Sequence, residues 1–386
     1  MSAIEIACFV IYVLLHEQIN AVSKLSTIQT ISIFVITWAS GLFEFWCARQ
    51  RVEYHYKALA ALTLGFSLAQ PISGIIAVLA FPNSKVDARV FSMALVQLIS
   101  FGWIFFLYLR RGRTAFDQDH WIHALKLNLP LIPHYLSQSL LNTSDRIMIR
   151  SMVSASAAGI YGLSYSISFL MTIVNQAILN TMNPWMYQQI KNRDYDRLAR
   201  VTYIVLIGVV LANLLVVCLA PEVISVFAPP EYREGIWLVP PLAATVVVMF
   251  LYSVFAAFEF YFERSDLIMR ASIIGAVLNL VLNWMLIPRL GYQAAAWTTL
   301  TGYLVYVGMH YTFMRKIQRY EMGDVQVYSM KVILGILAAF ALSASILTVL
   351  YPHSVTRYAI CAIGLLTLFV KREVVSSVFS QLREKE

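Results

Sequence analysis

Charge is scarce in this chain. Only 13% of its 386 residues are charged and 59% are hydrophobic, whereas a soluble domain carries roughly a quarter charged residues. The mean hydropathy is +0.69. Such a chain cannot cover itself with polar surface, which excludes an ordinary soluble globular protein and leaves lipid as the outer solvent. Cysteine is sparse too. Cys8, Cys47, Cys218 and Cys361 lie in or beside apolar runs and form no CxxC, so neither a disulfide framework nor a cysteine metal centre is expected; they read as small core residues. Walker loop, nucleophile elbow, zincin helix and dinucleotide fingerprint are all missing. His120-Trp-Ile-His123 has poor metal spacing and reads as interfacial loop. The sequence therefore points to no catalytic residue, no metal and no cofactor, and to a protein that is not an enzyme. No basic n-region or small-residue cleavage site accompanies Met1 to Leu15, so this first apolar stretch is expected to stay as a span. The net charge of +8 comes without an RNA- or DNA-binding module, so nucleic acid is not an expected partner.

What the chain has in abundance is apolar runs of membrane-spanning length. A span needs about twenty apolar residues. Twelve are read, near 3–15, 27–47, 58–81, 88–109, 127–149, 157–183, 201–220, 236–261, 267–287, 291–313, 330–350 and 355–370. The basic residues alternate with them. Connections after even-numbered spans hold Arg49, Arg51 and Lys57; Arg110, Arg111 and Arg113; Lys191, Arg193, Arg197 and Arg200; Arg264; and Arg315, Lys316 and Arg319. The tail adds Lys371, Arg372, Arg383 and Lys385. Connections after odd-numbered spans are poorer in charge. The positive-inside rule then places both termini in the cytoplasm. The basic connection from Arg110 to Lys126 is the best joint between two helical lobes. This gives a first lobe at 1–115, a second at 116–313, and a terminal helix pair with a cytoplasmic tail at 314–386.

Polar residues inside the spans are few and patterned. In the fifth, His134, Gln138 and Asn142 follow at steps of four and Asp145 at a step of three, which places them on one helix face. Pro130 and Pro133 weaken the start of that helix and free backbone carbonyls. A stripe of this kind must face a bundle interior. Arg146 adjoins Asp145 but points about 100° away. Two readings are open for that pair: Arg146 is a fixed cation for an anionic substrate, since guanidinium suits phosphate, or the pair snorkels and ties helix ends together. In the sixth span Tyr161, Tyr165, Ser168, Thr172 and Gln176 repeat at three or four, as a wet inner face or as interhelical glue. Glu44, Glu259 and Glu263 are the carboxylates nearest a span, and Glu44 is the candidate for ion coupling. All three lie near cytoplasmic ends, where pairing with Arg49, Arg51 or Arg264 is the plainer account.

The most informative segment is Asn279-Leu-Val-Leu-Asn283-Trp-Met-Leu-Ile-Pro288-Arg-Leu-Gly291-Tyr-Gln-Ala-Ala-Ala-Trp-Thr-Thr299. Two helices flank a Pro/Gly turn, small residues crowd the second, and two Asn sit four apart on the first. Small residues let helices approach closely in lipid, and Gly302 and Gly308 read the same way. Together with Pro130-Leu-Ile-Pro133-His, Asp145-Arg146, Ala158-Gly159-Ile-Tyr161-Gly-Leu-Ser-Tyr165 and the region from Glu44 to Arg51, this segment resembles the polysaccharide-export flippases of the Wzx type. Those belong to the multidrug/oligosaccharidyl-lipid/polysaccharide exporters, alongside the lipid II flippase.

The resemblance implies an all-α integral membrane protein of about twelve transmembrane helices, in two lobes around a central cavity. The first lobe is short by two helices, because only four spans precede the Pro-Pro/Asp-Arg helix where the family has six. It implies alternating-access transport of an undecaprenyl-pyrophosphate-linked oligosaccharide, an O-antigen or capsule repeat unit, across a bacterial inner membrane. Arg146 would hold the pyrophosphate. Asp145, Asn142, Gln138, His134, Tyr161, Tyr165, Gln176, Asn279 and Asn283 would line the cavity. Expected partners are the lipid-linked oligosaccharide, membrane lipids, a polysaccharide polymerase and a chain-length regulator. Rival readings are a cation-coupled drug exporter on the same scaffold, a membrane polysaccharide polymerase or ligase, and a non-transporting remnant.

Overall fold

Hydropathy and helix geometry together dictate what the chain builds. Backbone groups in hydrocarbon must be satisfied within the segment, and helices do this. The computed structural model describes residues 2–112 and 117–370. Arg113 and the tail residues Lys371, Arg372, Arg383 and Lys385 lie outside the described residues. Thirteen α-helices run in order: α1 (Ser2–Ser23), α2 (Thr27–Val52), α3 (Tyr56–Ala80), α4 (Lys85–Gly112), α5 (Gln118–Asn128), α6 (Leu131–Met152), α7 (Ala155–Asn192), α8 (Tyr195–Phe227), α9 (Val239–Tyr261), α10 (Ser265–Leu290), α11 (Ala294–Glu321), α12 (Met330–Val349) and α13 (Ser354–Val370). Among the described residues there is no strand. The protein is all-α, and nine of these helices (α1 to α4, α7 to α10 and α12) are long and apolar enough to cross a membrane. Helices α6 and α11 have the length, 22 and 28 residues, but carry too many polar side chains to qualify on composition. These two carry much of the polar site described below.

Each apolar run of the sequence corresponds to one long helix, and α5 is additional. His120 and His123 therefore lie on a short helix rather than in a loop, with His123 Nε2 3.5 Å from a Glu263 oxygen. The helices outrun the hydropathic segments. Helix α7 passes through Pro184 to Asn192, α8 begins at Tyr195, and α11 continues to Glu321. Hydropathy reports the lipid-immersed length. The helix itself persists while packing rewards it, and Trp185, Met186 and Ile190 beyond Pro184 are all core residues. Helix α6 starts at Leu131 rather than 127 because Pro130 occupies its N-cap position, where no N–H is needed.

The chain forms two units, Met1–Asp119 and His120–Glu386, divided within the Arg110–Lys126 connection. The first holds α1 to α4. Its core is Ala39, Leu42, Trp46, Cys47, Phe101 and Ile104, with Phe43 stacked on Phe101 at 4.1 Å. Polar clamps fix its helix ends. Ser26 and Gln29 form a capping box at the start of α2, and both donate to Asp87 on α4, at 3.1 and 2.7 Å. Large apolar side chains such as Leu79 and Phe106 are more than two-thirds exposed, as lipid-facing positions require. Cys8 is also exposed, against the expectation of a core residue, because it lies on the outward side of α1.

The second unit is built around α9, whose buried residues run from Val239 to Glu259. Helices α7, α8, α10, α11 and α12 pack around it. Helices α10 and α11 meet at small residues. A Cβ on Gly302 would sit 3.4 Å from the Asn279 Cβ and 3.8 Å from the Gly275 carbonyl. Gly308, expected to pack in the same way, faces open space instead. Gly291 closes α10 at φ 78°, ψ −177°, a conformation open only to glycine. Gly302→Val should destabilise the purified protein by about 1–3 kcal/mol through overpacking, read as a lowered melting temperature in detergent. Gly308→Ala should melt at or above wild type.

Candidate functional site

The polar side chains of the second unit gather at the mutual contacts of α6, α7, α10 and α11. His134, Gln138 and Asp145 turn toward α10 and α11, while half-buried Asn142 meets Tyr165 on α7. They enter three distinct environments.

The first is centred on Asp145, which is 1% exposed. Its Oδ1 accepts from Asn283 Nδ2 at 2.6 Å, and its Oδ2 accepts from Tyr161 OH at 2.6 Å and Thr299 Oγ1 at 2.7 Å. The donors come from three other helices. The network continues outward. Asn283 also donates to Asn279 Oδ1 at 3.2 Å, Asn279 donates to Thr299 at 3.4 Å, and Thr298 donates to Asn283 Oδ1. Asn279 and Asn283 are fully buried. The carboxylate and both amides thus satisfy one another, as buried polar groups in an apolar bundle must. Asp145, Tyr161, Asn279 and Asn283 hold helices together here and do not face an open space.

The second environment surrounds Arg146, one residue on. Its Nη2 donates to the Asn142 carbonyl at 3.0 Å, and its guanidinium carbon stands 5.0 Å from the Tyr165 ring centroid. Tyr165 is itself held by a 3.2 Å bond to Asn142 Oδ1 and by stacking on Phe169 at 3.8 Å. Arg146 and Asn142 are half-buried. Among the described residues Arg146 has no ion-pair partner. Carbonyl and aromatic face fix this cation while leaving its charge unmatched.

The third lies toward the opposite end of α6. His134 Nδ1 is 2.5 Å from Ser272 Oγ, which is 2.9 Å from Tyr306 OH. Gln138 bridges Tyr306 and Tyr303 at 3.3 and 3.4 Å. A cavity of about 140 Å³ opens here, lined in part by His134, Gln176, Asn183, Tyr252, Tyr306 and His310. Gln176 is exposed at its edge and bonded to Asn180. The volume suits a few water molecules, at ~30 Å³ each. Beside it, Glu259 Oε1 is 2.8 Å from His310 Nδ1, with both side chains fully buried. This corrects the expectation that Glu259 sits in water near Arg264. Arg264 pairs with Asp266 at 3.2 Å instead, and Glu259 points into the bundle because its stretch of α9 is covered on all sides.

Glu44 belongs to the first unit, exposed on α2. Arg49, the partner suggested for it, bonds Glu53 at 2.7 Å and holds that exposed carboxyl below its ordinary pKa. Ser168 and Thr172 bond carbonyls of their own helix. Among the described residues no group of three or more His, Cys, Asp or Glu is placed to hold a metal ion.

Two family models match the chain. One, described as a polysaccharide biosynthesis protein, covers residues 67–190, and the MatE model covers 130–285. They overlap on the helix that carries Asp145 and Arg146, where the sequence showed its family likeness. Each model covers less than half of the chain, so the chain is similar to polysaccharide-biosynthesis and MatE proteins over those segments. A curated relative, the Lsg locus protein 1 of Haemophilus influenzae, is 28% identical over 119 residues, or 29% of each chain. The matched segment thus spans under a third of that relative. Among solved structures, the Vibrio cholerae MATE transporter VcmN in its bent form has a TM-score of 0.66 at 13% identity, over 83% of this chain and 78% of that one. The lipid II flippase MurJ, inward closed, has a TM-score of 0.55 at 14% identity, over 97% and 82%. At these identities the likeness is one of fold: an all-α, multi-pass membrane architecture.

The partners missing from the sequence reading are Ser272, Thr298, Thr299, Tyr303, Tyr306 and His310. The signal was present. Thr299, Tyr303, Tyr306 and His310 recur at steps of four, three and four, the same periodicity that exposed the α6 stripe. Asp145→Ala would leave three buried donors without an acceptor. It should cost about 3–5 kcal/mol, seen as a lower melting temperature and a broadened gel-filtration peak. An unchanged melting curve would show that the carboxylate does not tie these helices.

Proposed function

We propose that the protein is a flippase that moves an undecaprenyl-pyrophosphate-linked oligosaccharide, an O-antigen or capsule repeat unit, across the bacterial inner membrane by alternating access. The observation that carries this reading is Arg146. A guanidinium half-buried in an apolar bundle is costly without a partner, and this one is oriented by Asn142 and Tyr165 but meets no carboxylate within ion-pair distance among the described residues. A pyrophosphate would supply the missing charge through paired N–H donors. The polysaccharide-biosynthesis match across α6 and most of α7 supports the same substrate class.

On this reading the chain is a transporter and not an enzyme, both termini are cytoplasmic, and a polymerase and chain-length regulator act on its product. Half-buried Asn142 and Gln138 contribute sugar contacts, while buried Tyr165 supports the Arg146 guanidinium. Inward-facing Asp145, Asn279, Asn283 and Tyr161 act by holding the helix that presents Arg146. A loss equivalent to one charged hydrogen bond, roughly 1.5–3 kcal/mol, should lower export about 10- to 100-fold in Arg146→Ala. Surface polysaccharide measured by gel and lectin blot should fall accordingly, at unchanged protein level in the membrane. Arg146→Lys, a point charge without the fork, should recover export in part. Normal surface polysaccharide in Arg146→Ala would sink the assignment.

The MatE match over 130–285 favours a second reading, a cation-coupled drug exporter. Arg146 weighs against it, since an unpaired guanidinium repels organic cations. Drug sensitivity in a deletion strain whose surface glycan is intact would decide for the exporter.

A further inference from the structure

The terminal helix α13 is seated on α8 by two side chains. Among its residues 354–363 only Arg357 and Cys361 are not exposed, while Val355, Ile360 and Ile363 face outward. Arg357 is 1% exposed, and its Nη2 donates to Glu222 Oε1 on α8. Its guanidinium carbon also stands 5.6 Å from the Tyr351 ring centroid and 5.3 Å from that of Tyr358. One turn along α13, the thiol of Cys361 interacts with that of fully buried Cys218. Glu222 follows Cys218 by four residues on α8, and Cys361 follows Arg357 by four on α13. The two contacts therefore stack on one face of each helix, about 6 Å apart along it. Their order is that of two antiparallel helices in register, with the cysteines opposite one another.

The backbones come close at this point. Cys218 Sγ donates to the Arg357 carbonyl at 3.8 Å. Within an α-helix that same carbonyl accepts the N–H of the residue four positions on, here Cys361. The Cys218 sulfur thus reaches the peptide group beside Cys361, with no larger side chain in between. Both cysteines are thiols in this structure, one buried and one half-buried. Facing sulfurs on closely approaching backbones are what a disulfide requires.

We propose that Cys218 and Cys361 are a redox-active pair, joined as a disulfide that staples α13 to α8. The oxidant is a protein or small-molecule disulfide. Half-buried Cys361 reacts first. It gives up its proton and its sulfur attacks one oxidant sulfur; the oxidant S–S bond breaks, and one thiol leaves with that proton. Cys218 then gives up its proton and attacks the Cys361 sulfur. The bond from Cys361 to the second oxidant sulfur breaks, and a second thiol leaves. Two electrons pass from the cysteines to the oxidant, and every proton is accounted for. The Arg357–Glu222 ion pair, one turn away, keeps the sulfurs in register while this happens. The staple closes a loop of chain that includes α9 to α12, and so restrains the unfolded chain as well as α13. With both termini cytoplasmic, as proposed above, α13 begins on the far side of the membrane. Cys361 lies two turns from that beginning, near the compartment where thiols become oxidised. Only the choice of compartment rests on the proposed orientation; the pairing is independent of what the protein carries.

The test uses the full-length protein. Membranes are quenched in acid straight from cells, free thiols are blocked with N-ethylmaleimide, and the protein is digested. Mass spectrometry should find a peptide that joins Cys218 to Cys361 and disappears on reduction with dithiothreitol. Cys8 and Cys47, in the first unit, should carry the maleimide. Purified and reduced in detergent, the protein should form the same link in glutathione disulfide, and Cys218→Ser should trap glutathione on Cys361. The oxidised protein should melt about 3 °C or more above the reduced one, a difference lost in Cys361→Ser. Glu222→Gln should slow oxidation several-fold. Wild-type protein from cells in which Cys218 and Cys361 both carry maleimide overturns the proposal, and makes the pair two small packing residues. Purified protein that stays reduced in glutathione disulfide overturns it as well, as does a link from either cysteine to Cys8 or Cys47. The wild-type peptide map needs no variant, so it decides the matter even where a substitution prevents folding. Normal glycan in Arg146→Ala would leave that map unchanged.

Discussion

A carboxylate buried in a lipid-compatible bundle constrains everything around it. Charge in such surroundings is tolerated only when hydrogen-bond donors converge on it. Asp145 accepts from Asn283, Tyr161 and Thr299, on three different helices. Each bond fixes one helix against α6 in both register and rotation. Since helices attract one another weakly in lipid, a shared acceptor of this kind does what apolar burial does in water. The next residue then inherits its position. Arg146 lies about 100° around the same helix and emerges on the half-buried side, against Asn142 and Tyr165. The inward acid thus aims the outward cation.

The two units solve the membrane problem differently. The first relies on aromatic packing, with Phe43, Phe66 and Phe101 in mutual contact, and adds polar clamps at helix ends and a mid-helix bond between Ser40 and Gln97. The second concentrates polar chemistry inside its bundle, and two of its clusters contrast. One is closed and satisfied, around Asp145. The other, around Glu259 and His310, keeps unpartnered atoms beside a cavity. A satisfied network makes a rigid support; an unsatisfied one has capacity to respond. The proposed anion site stands on the first.

Much of this was legible in the residues. Apolar runs located the long helices, and the spacing of His134, Gln138, Asn142 and Asp145 showed which face of α6 turns inward. The small residues Ala294, Ala295 and Ala296 marked a close helix approach, and all three are buried. Helix ends were less legible, because hydropathy changes where lipid ends and packing does not. Glu259 was misplaced for that reason: its position near the end of an apolar run suggested water, yet neighbouring helices cover it. His310 belongs to the Thr299, Tyr303, Tyr306 stripe of α11, but nothing local in that stripe names its partner 51 residues away.

The sequence by itself determined that this is a multi-helix membrane protein whose few polar side chains recur at helical spacing, because helix period and the exclusion of polar groups from lipid act locally along the chain. It also carried the resemblance to the polysaccharide-biosynthesis and MatE proteins. Only the tertiary structure decided which polar groups meet. Asp145 and Asn283 are 138 positions apart and Glu259 and His310 are 51 apart. Whether a buried charge is satisfied, matched or left open depends on donors brought by other helices, and no local pattern encodes that.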